Sequence, residues 1–154
     1  MGNLKAVEIY TDGSCILNDN GRGGYGAILR YGNITKEIYG GFYKTTNNRA
    51  ELMAVIFSLE ILTEPCSVTV YSDSRYVTEA INRHWIDNWV KKQFNGIKNP
   101  DLWKRLLKQL RRHDVKLVWV KGHAGIEGNE RADELATMGA SLPDLPVDRR
   151  LDEL

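Results

Sequence analysis

The chain has 154 residues, the size of one ordinary domain, and its 21 Lys and Arg nearly cancel 20 Asp and Glu, leaving a net charge of +1. That balance excludes a global electrostatic pull toward polyanions, so any nucleic-acid contact must come from local patches. The longest apolar run, residues 52–57, is too short to cross a bilayer, and "MGNLKAVEIY" enters a strand pattern directly and does not read as a signal peptide.

Residues 6–12, "AVEIYTD", alternate and are rich in β-formers, which predicts a strand with Glu8, Tyr10 and Asp12 on one face. The glycine-rich, polar run 13–24 reads as a loop. Two strands near 25–31 and 34–43, joined around Gly32 and Asn33, predict a hairpin. Residues 47–62 predict a helix capped by Asn47 or Asn48, apolar nearly all round and therefore broadly buried. Residues 67–73, "SVTVYSD", form a strand closing on Asp73.

Residues 75–91 read as helical, in two pieces broken near His84, and 92–99 as a loop. Asn99 and Pro100 open a helix whose apolar stripe is Leu102, Trp103, Leu106, Leu107 and Leu110. The fifth strand covers 115–120. A last helix over 128–140, begun by Gly128 or Asn129, puts Asp133 in its first turn. The expected organisation is a domain over 1–140 followed by a loosely ordered tail over 141–154. The element order predicts an α/β fold: a mixed five-stranded sheet, three antiparallel strands then two parallel, with helices on both faces.

Two strands carry Asp at their carboxyl ends, in "TDGS" and "SDSR". Sites in open α/β sheets form at that edge. If the first and fourth strands are parallel neighbours, Asp12 and Asp73 meet there, and Glu51 and Asp133 can join them from helices. Each like charge raises its neighbours' pKa, and hard divalent cations relieve the conflict. Two such ions can hold an attacking water and a leaving oxygen on opposite sides of a phosphorus, which is phosphodiester hydrolysis. Taken singly, each acid has a plainer reading: Asp12 and Asp73 as turn or cap residues, Asp133 as complement to a helix dipole, Glu51 as a solvated helix acid.

Five motifs, in order, resemble type 1 ribonuclease H: "VEIYTDGSC", "GGYGAILR", "TTNNRAELMA", "SDSRYV" and "VKGHAG" with "NERADELA". The resemblance runs over about residues 5 to 140 and implies the ribonuclease H-like fold. It implies an endonuclease that hydrolyses the RNA strand of RNA–DNA hybrids with two Mg²⁺ ions, Mn²⁺ being a possible substitute. Asp12, Glu51, Asp73 and Asp133 match the family's metal-binding carboxylates. His123 matches a loop histidine that assists water activation or product departure. RNA is told from DNA by its 2′-hydroxyls, and the matching positions are Cys15, Asn47, Asn48 and Glu51. Lys44, Thr46 and Asn99 resemble a pocket for a DNA-strand phosphate, and Trp85 and Trp89 an aromatic wall. Lys91, Lys92 and Lys98 are what remains of a basic protrusion.

The chain departs from the pattern in three places. The loop "ILNDNGRGG" is one residue longer and lacks prolines, which bears on Asn18 as an RNA contact. Arg75 stands where glutamine is common, and the protrusion is shorter. Two alternatives share parts of this signature: another nuclease or transferase of the same superfamily, and a non-catalytic hybrid-binding module. A ribonuclease H domain of a reverse transcriptase is a third; with no polymerase remnant before residue 5, a free-standing enzyme is expected. Cys15 and Cys66 fit neither a zinc spacing nor a disulfide framework. The expectation is a cytoplasmic monomer without membrane attachment, in which the terminal "LDEL" has no consequence.

Overall fold

The computed structural model describes residues 3–16 and 20–149, so Asn18 and the terminal "LDEL" lie outside the described residues. One sheet holds β1 (Lys5–Ile16), β2 (Arg22–Tyr31), β3 (Ile34–Phe42), β4 (Cys66–Ser72) and β5 (Asp114–Trp119). Their spatial order is β3-β2-β1-β4-β5. The first three strands pair antiparallel, while β1–β4 and β4–β5 are parallel, as the element order predicts. The helices are α1 (Asn47–Glu60), α2 (Arg75–Asn82), α3 (Trp85–Lys91), α4 (Pro100–Arg112) and α5 (Glu127–Ala140). His84, at φ +58, breaks α2 from α3 where the sequence predicts an interruption.

Alternation assigns the two faces of the sheet. Val7, Ile9, Ala27 and Leu29 join Leu52, Ile56, Leu59, Trp103 and Leu106 in one core on the α1 and α4 side. Truncating a fully buried leucine such as Leu52 would cost about 2–5 kcal/mol. On the opposite face, glycines of β2 meet α5. A Cβ on Gly26 would lie 2.5 Å from the Ala136 nitrogen, and one on Gly24 would lie 2.1 Å from the Ala136 oxygen. Only glycine lets α5 pack this close to β2.

Those glycines also explain the first correction. The run 13–24 is not simply a loop: β1 continues to Ile16 and β2 begins at Arg22, with Cys15 paired to Gly23 and Ser14 to Gly24. Glycine here marks close helix approach, which looks the same as loop composition in one dimension.

Three further boundaries differ. Thr46 caps α1, its Oγ1 accepting from the Arg49 N–H at 3.2 Å, so Asn47 and Asn48 are the first helical residues. Helix α5 starts at Glu127 with Ile126 at the cap position, so Asp133 is in the second turn. The described part of the tail is packed rather than loose. Leu145 and Asp148 are buried, and Val147 bridges in parallel to Tyr43. The backbone N–H groups of Tyr43 and Asp148 donate to the Pro146 and Tyr43 carbonyls, each at 2.8 Å. Burial of an aspartate opposite an arginine holds this segment, and composition carries no trace of that pairing.

Candidate active site

The β1–β4 ladder ends at the pair Thr11–Ser72, while β1–β2 pairing runs on to Ile16. Asp12 therefore lies inside β1 but at the end of its pairing with β4, and Asp73 is the next residue after β4. The register places the two carboxylates side by side, as the strand ends suggested, although β1 itself does not stop there.

Glu51 comes from the second turn of α1. Gly13 decides how near it can come: a Cβ at Gly13 would sit 2.5 Å from the Glu51 nitrogen and 2.7 Å from the Ala50 carbonyl carbon. Asp12, Glu51 and Asp73 each present a ligand oxygen within 4.8 Å of the others. Asp133 and His123 line the same cleft of about 420 Å³, together with Gly13, Asn47, Asn48, Ser74, Arg75 and Tyr76. His123 is exposed, in the left-handed region at φ +56, on the turn after β5. The backbone at Gly122 passes so near Asp73 that an added Cβ would be 2.7 Å from its Oδ2.

The cluster is electrostatically unfavourable as it stands. Burial, then the Asp73 charge, push the Asp12 carboxyl up to about 8, against hydrogen bonds with Glu51 and the Gly13 N–H, the latter at 2.9 Å. Burial and the charges of Asp12 and Asp73 hold the Glu51 carboxyl well above the usual carboxylate range. Glu51 Oε1 is buried without a hydrogen-bond partner among the described residues. An orphaned acceptor beside two carboxylates is an all-oxygen donor set suited to a hard divalent cation. Binding one would expel the shared protons, since the ligands must be ionised.

The other predicted residues are not in this cleft. Cys15, half-buried, turns its thiol to the Thr45 carbonyl at 3.9 Å. Lys44 and Thr46 are exposed on the β3–α1 connection. Asn99, before α4, gives both ends of its amide to protein: Oδ1 accepts from Arg49 at 3.2 Å and Nδ2 donates to the Tyr76 hydroxyl at 2.9 Å. Trp85 is exposed beside Arg83, whereas Trp89 is half-buried edge-on to Trp103 at 5.0 Å. Lys91, Lys92 and Lys98 are exposed around the α3–α4 loop.

Sequence reasoning passed over Tyr76 and Ser74. Ser74 caps α2 through the Val77 N–H, a role that "SDSRY" signals by its serine three residues before an apolar position. It noted Arg75 without its platform: the guanidinium lies over the Trp119 ring at 4.5 Å, and the Trp119 indole N–H donates to the Asp73 carbonyl at 3.1 Å. A larger cavity of about 600 Å³ lies between α1, α4 and residues 146–149. Its acids, Asp101 and Asp148, are both paired to Arg49, so it offers no free carboxylate cluster.

The model of the RNase H family matches residues 4–141. A ribonuclease H of Lachnoclostridium phytofermentans is 53% identical over 152 residues, covering 92% of this chain and 96% of its own. Among solved structures, LC9-RNase H1, a type 1 RNase H with the type 2 active-site motif, superposes with a TM-score of 0.83 at 28% identity, over 91% of this chain and 74% of that one. The foamy viral protease-reverse transcriptase in complex with RNA/DNA hybrid superposes with a TM-score of 0.76 at 25% identity, over 89% of this chain and 20% of that one.

Proposed function

The chain belongs to the RNase H family, and from that premise we infer how its residues carry out the family's reaction, endonucleolytic hydrolysis of the RNA strand of an RNA–DNA hybrid. The observation that carries the reading is the trio Asp12, Glu51 and Asp73 within 4.8 Å, with Asp133 and His123 on the same cleft.

Asp12, Glu51, Asp73 and Asp133 would hold two Mg²⁺ ions, with Mn²⁺ able to replace them. Such ions, when bound, lower the pKa of a coordinated water and offset charge developing on a phosphate. The four carboxylates fix where that charge sits. Buried Glu51 and Asp12 release their protons on loading and so couple activity to pH. His123, exposed and flanked by Gly122 and Gly125, takes or gives a proton at the reacting oxygens, leaving 5′-phosphate products.

Asn47 and Asn48, at the first turn of α1, offer amide groups to the 2′-hydroxyls of the RNA, and Glu51 and Cys15 contribute to the same recognition. Lys44, Thr46 and Asn99 receive a DNA-strand phosphate, Trp85 and Trp89 stack against the DNA strand, and Lys91, Lys92 and Lys98 add charge. The hybrids would be replication primers and transcription R-loops, met in the cytoplasm by a monomer. Among the described residues no helix is long and apolar enough to cross a membrane.

The test uses labelled RNA–DNA hybrid with Mg²⁺, with and without EDTA, beside RNA–RNA and DNA–DNA duplexes. Metal-dependent cutting of only the hybrid's RNA strand is expected. Equal cutting of duplex DNA would reject the assignment.

A further inference from the structure

The residues proposed for the DNA-strand phosphate come from two separate segments, Lys44 and Thr46 before α1 and Asn99 before α4. One buried side chain lies between them. Arg49, 1% exposed, donates to Asp101 at 2.9 and 2.8 Å, to Asp148 at 2.6 and 3.1 Å, and to Asn99 Oδ1 at 3.2 Å. Asp148 also accepts from the Thr45 hydroxyl at 2.9 Å, and its backbone N–H donates to the Tyr43 carbonyl.

This arrangement dictates which way the Asn99 amide faces. A guanidinium only donates, so the Asn99 atom beside it must be the oxygen. The amide nitrogen is thereby turned away from the guanidinium. One of its hydrogens goes to the Tyr76 hydroxyl, which also accepts the Trp103 indole N–H at 3.1 Å. The second hydrogen is left for a ligand. A phosphate needs a donor at that place, and a flipped amide would present it with an acceptor.

We propose that residues 145–149 are a working part of the substrate groove, and that Asp148 is a positioning residue which, through Arg49, sets Asn99 to donate to a DNA-strand phosphate while holding the Tyr43–Thr46 segment opposite. The inference rests on the reading of Asn99 and Thr46 as that phosphate's site. Asp101 grips the two terminal guanidinium nitrogens. Asp148 alone binds Nε, so it fixes the rotation of the plane that aims Nη1 at Asn99.

The experiment is a double-mutant cycle on hybrid binding in the inactive Asp12→Asn background, with KM and kcat measured in the active enzyme. Asp148→Ala and Asn99→Ala are each expected to weaken binding about tenfold, the lower end of what losing a group that orients a ligand costs. KM should rise with kcat unchanged, and the double variant should bind no worse than Asn99→Ala alone. The salt slope should not change for Asp148→Ala, because this residue meets no phosphate. Removing one side of a buried pair destabilises, so folding is checked by melting. If Asp148→Ala is unfolded at the assay temperature, Asp148→Asn, which keeps volume and one acceptor, enters the same cycle with an expected loss of about threefold. A lower Tm with wild-type affinity, or additive losses, would overturn the positioning role. Wild-type binding by both Asn99→Ala and Thr46→Ala would instead remove the phosphate site, and the inference with it.

Discussion

Replacing Asp12 by Asn should abolish hydrolysis and yet stabilise the metal-free protein. Asp12 is 6% exposed, and its carboxyl is pushed up to about 8 from 3.8. An acid whose pKa is raised by folding binds more protons in the native state between those two values, so stability falls as pH rises from about 4 to 8. A lone carboxyl so shifted would cost about 4 kcal/mol at pH 7. Glu51 competes for the same proton, so removing Asp12 relieves part of this, about 2 kcal/mol, or about 6 °C in Tm for a chain of this size. Asn keeps an oxygen for the Gly13 N–H, so the local hydrogen bond survives. The assay is thermal melting in EDTA at several pH values between 5.5 and 8. Wild type should lose Tm as pH rises and regain it with Mg²⁺, since an ion that binds only the native state stabilises it. Asp12→Asn should melt higher, vary less with pH and respond less to Mg²⁺. A variant that melts lower than wild type at pH 8 in EDTA would refute the reasoning and make Asp12 a structural residue.

His123→Ala should remain measurably active, with kcat reduced by roughly 10²–10⁴-fold at most, because an exposed loop histidine moves protons but does not build the carboxylate cluster; activity as low as that of Asp12→Asn would give it a larger role. Changing Lys91, Lys92 and Lys98 together to Gln should flatten the slope of log K against log[salt] by about two units at most and raise KM with kcat nearly constant, and an unchanged slope would assign DNA-strand binding to other groups. Buried His113 accepts from the Cys66 N–H at 2.9 Å, and burial, then Arg112, hold its ring below the ordinary 6.5. Because the unfolded chain takes up that proton first, the ring's own contribution should fall as pH drops through 6.5, opposite in sign to that of the Asp12 cluster, so wild type should lose stability relative to His113→Gln between pH 7.5 and 5 in urea melts; a constant difference would show that the ring does not titrate there. Cys15 and Cys66 should stay reduced. Cys66 pairs with Lys5 at the opposite end of β1 from Cys15, about 33 Å away at strand rise. A two-dalton mass loss after native purification would contradict this.

Much of the molecule is legible in one dimension because local periodicity and local chemistry carry it. Alternation gives the strands, the run 47–62 gives α1, and the interruption at His84 and the Pro100 start are signalled by the residues themselves. "TDGS" and "SDSR" locate Asp12 and Asp73, and the five motifs bring in Glu51, His123 and Asp133, all of which line one cleft. What the sequence does not carry are pairings between distant segments. Gly13 and Gly24 read as loop, yet they are where α1 and α5 touch the sheet, since a missing Cβ looks the same whether it frees a turn or admits a helix. Asp148 reads as one charge in a polar tail. Only tertiary structure sets it 2.6 Å from Arg49, ninety-nine residues earlier, and so ties residues 145–149 to α1. Burial makes that contact strong. Burial is a property of the assembled fold, so no local pattern announces it.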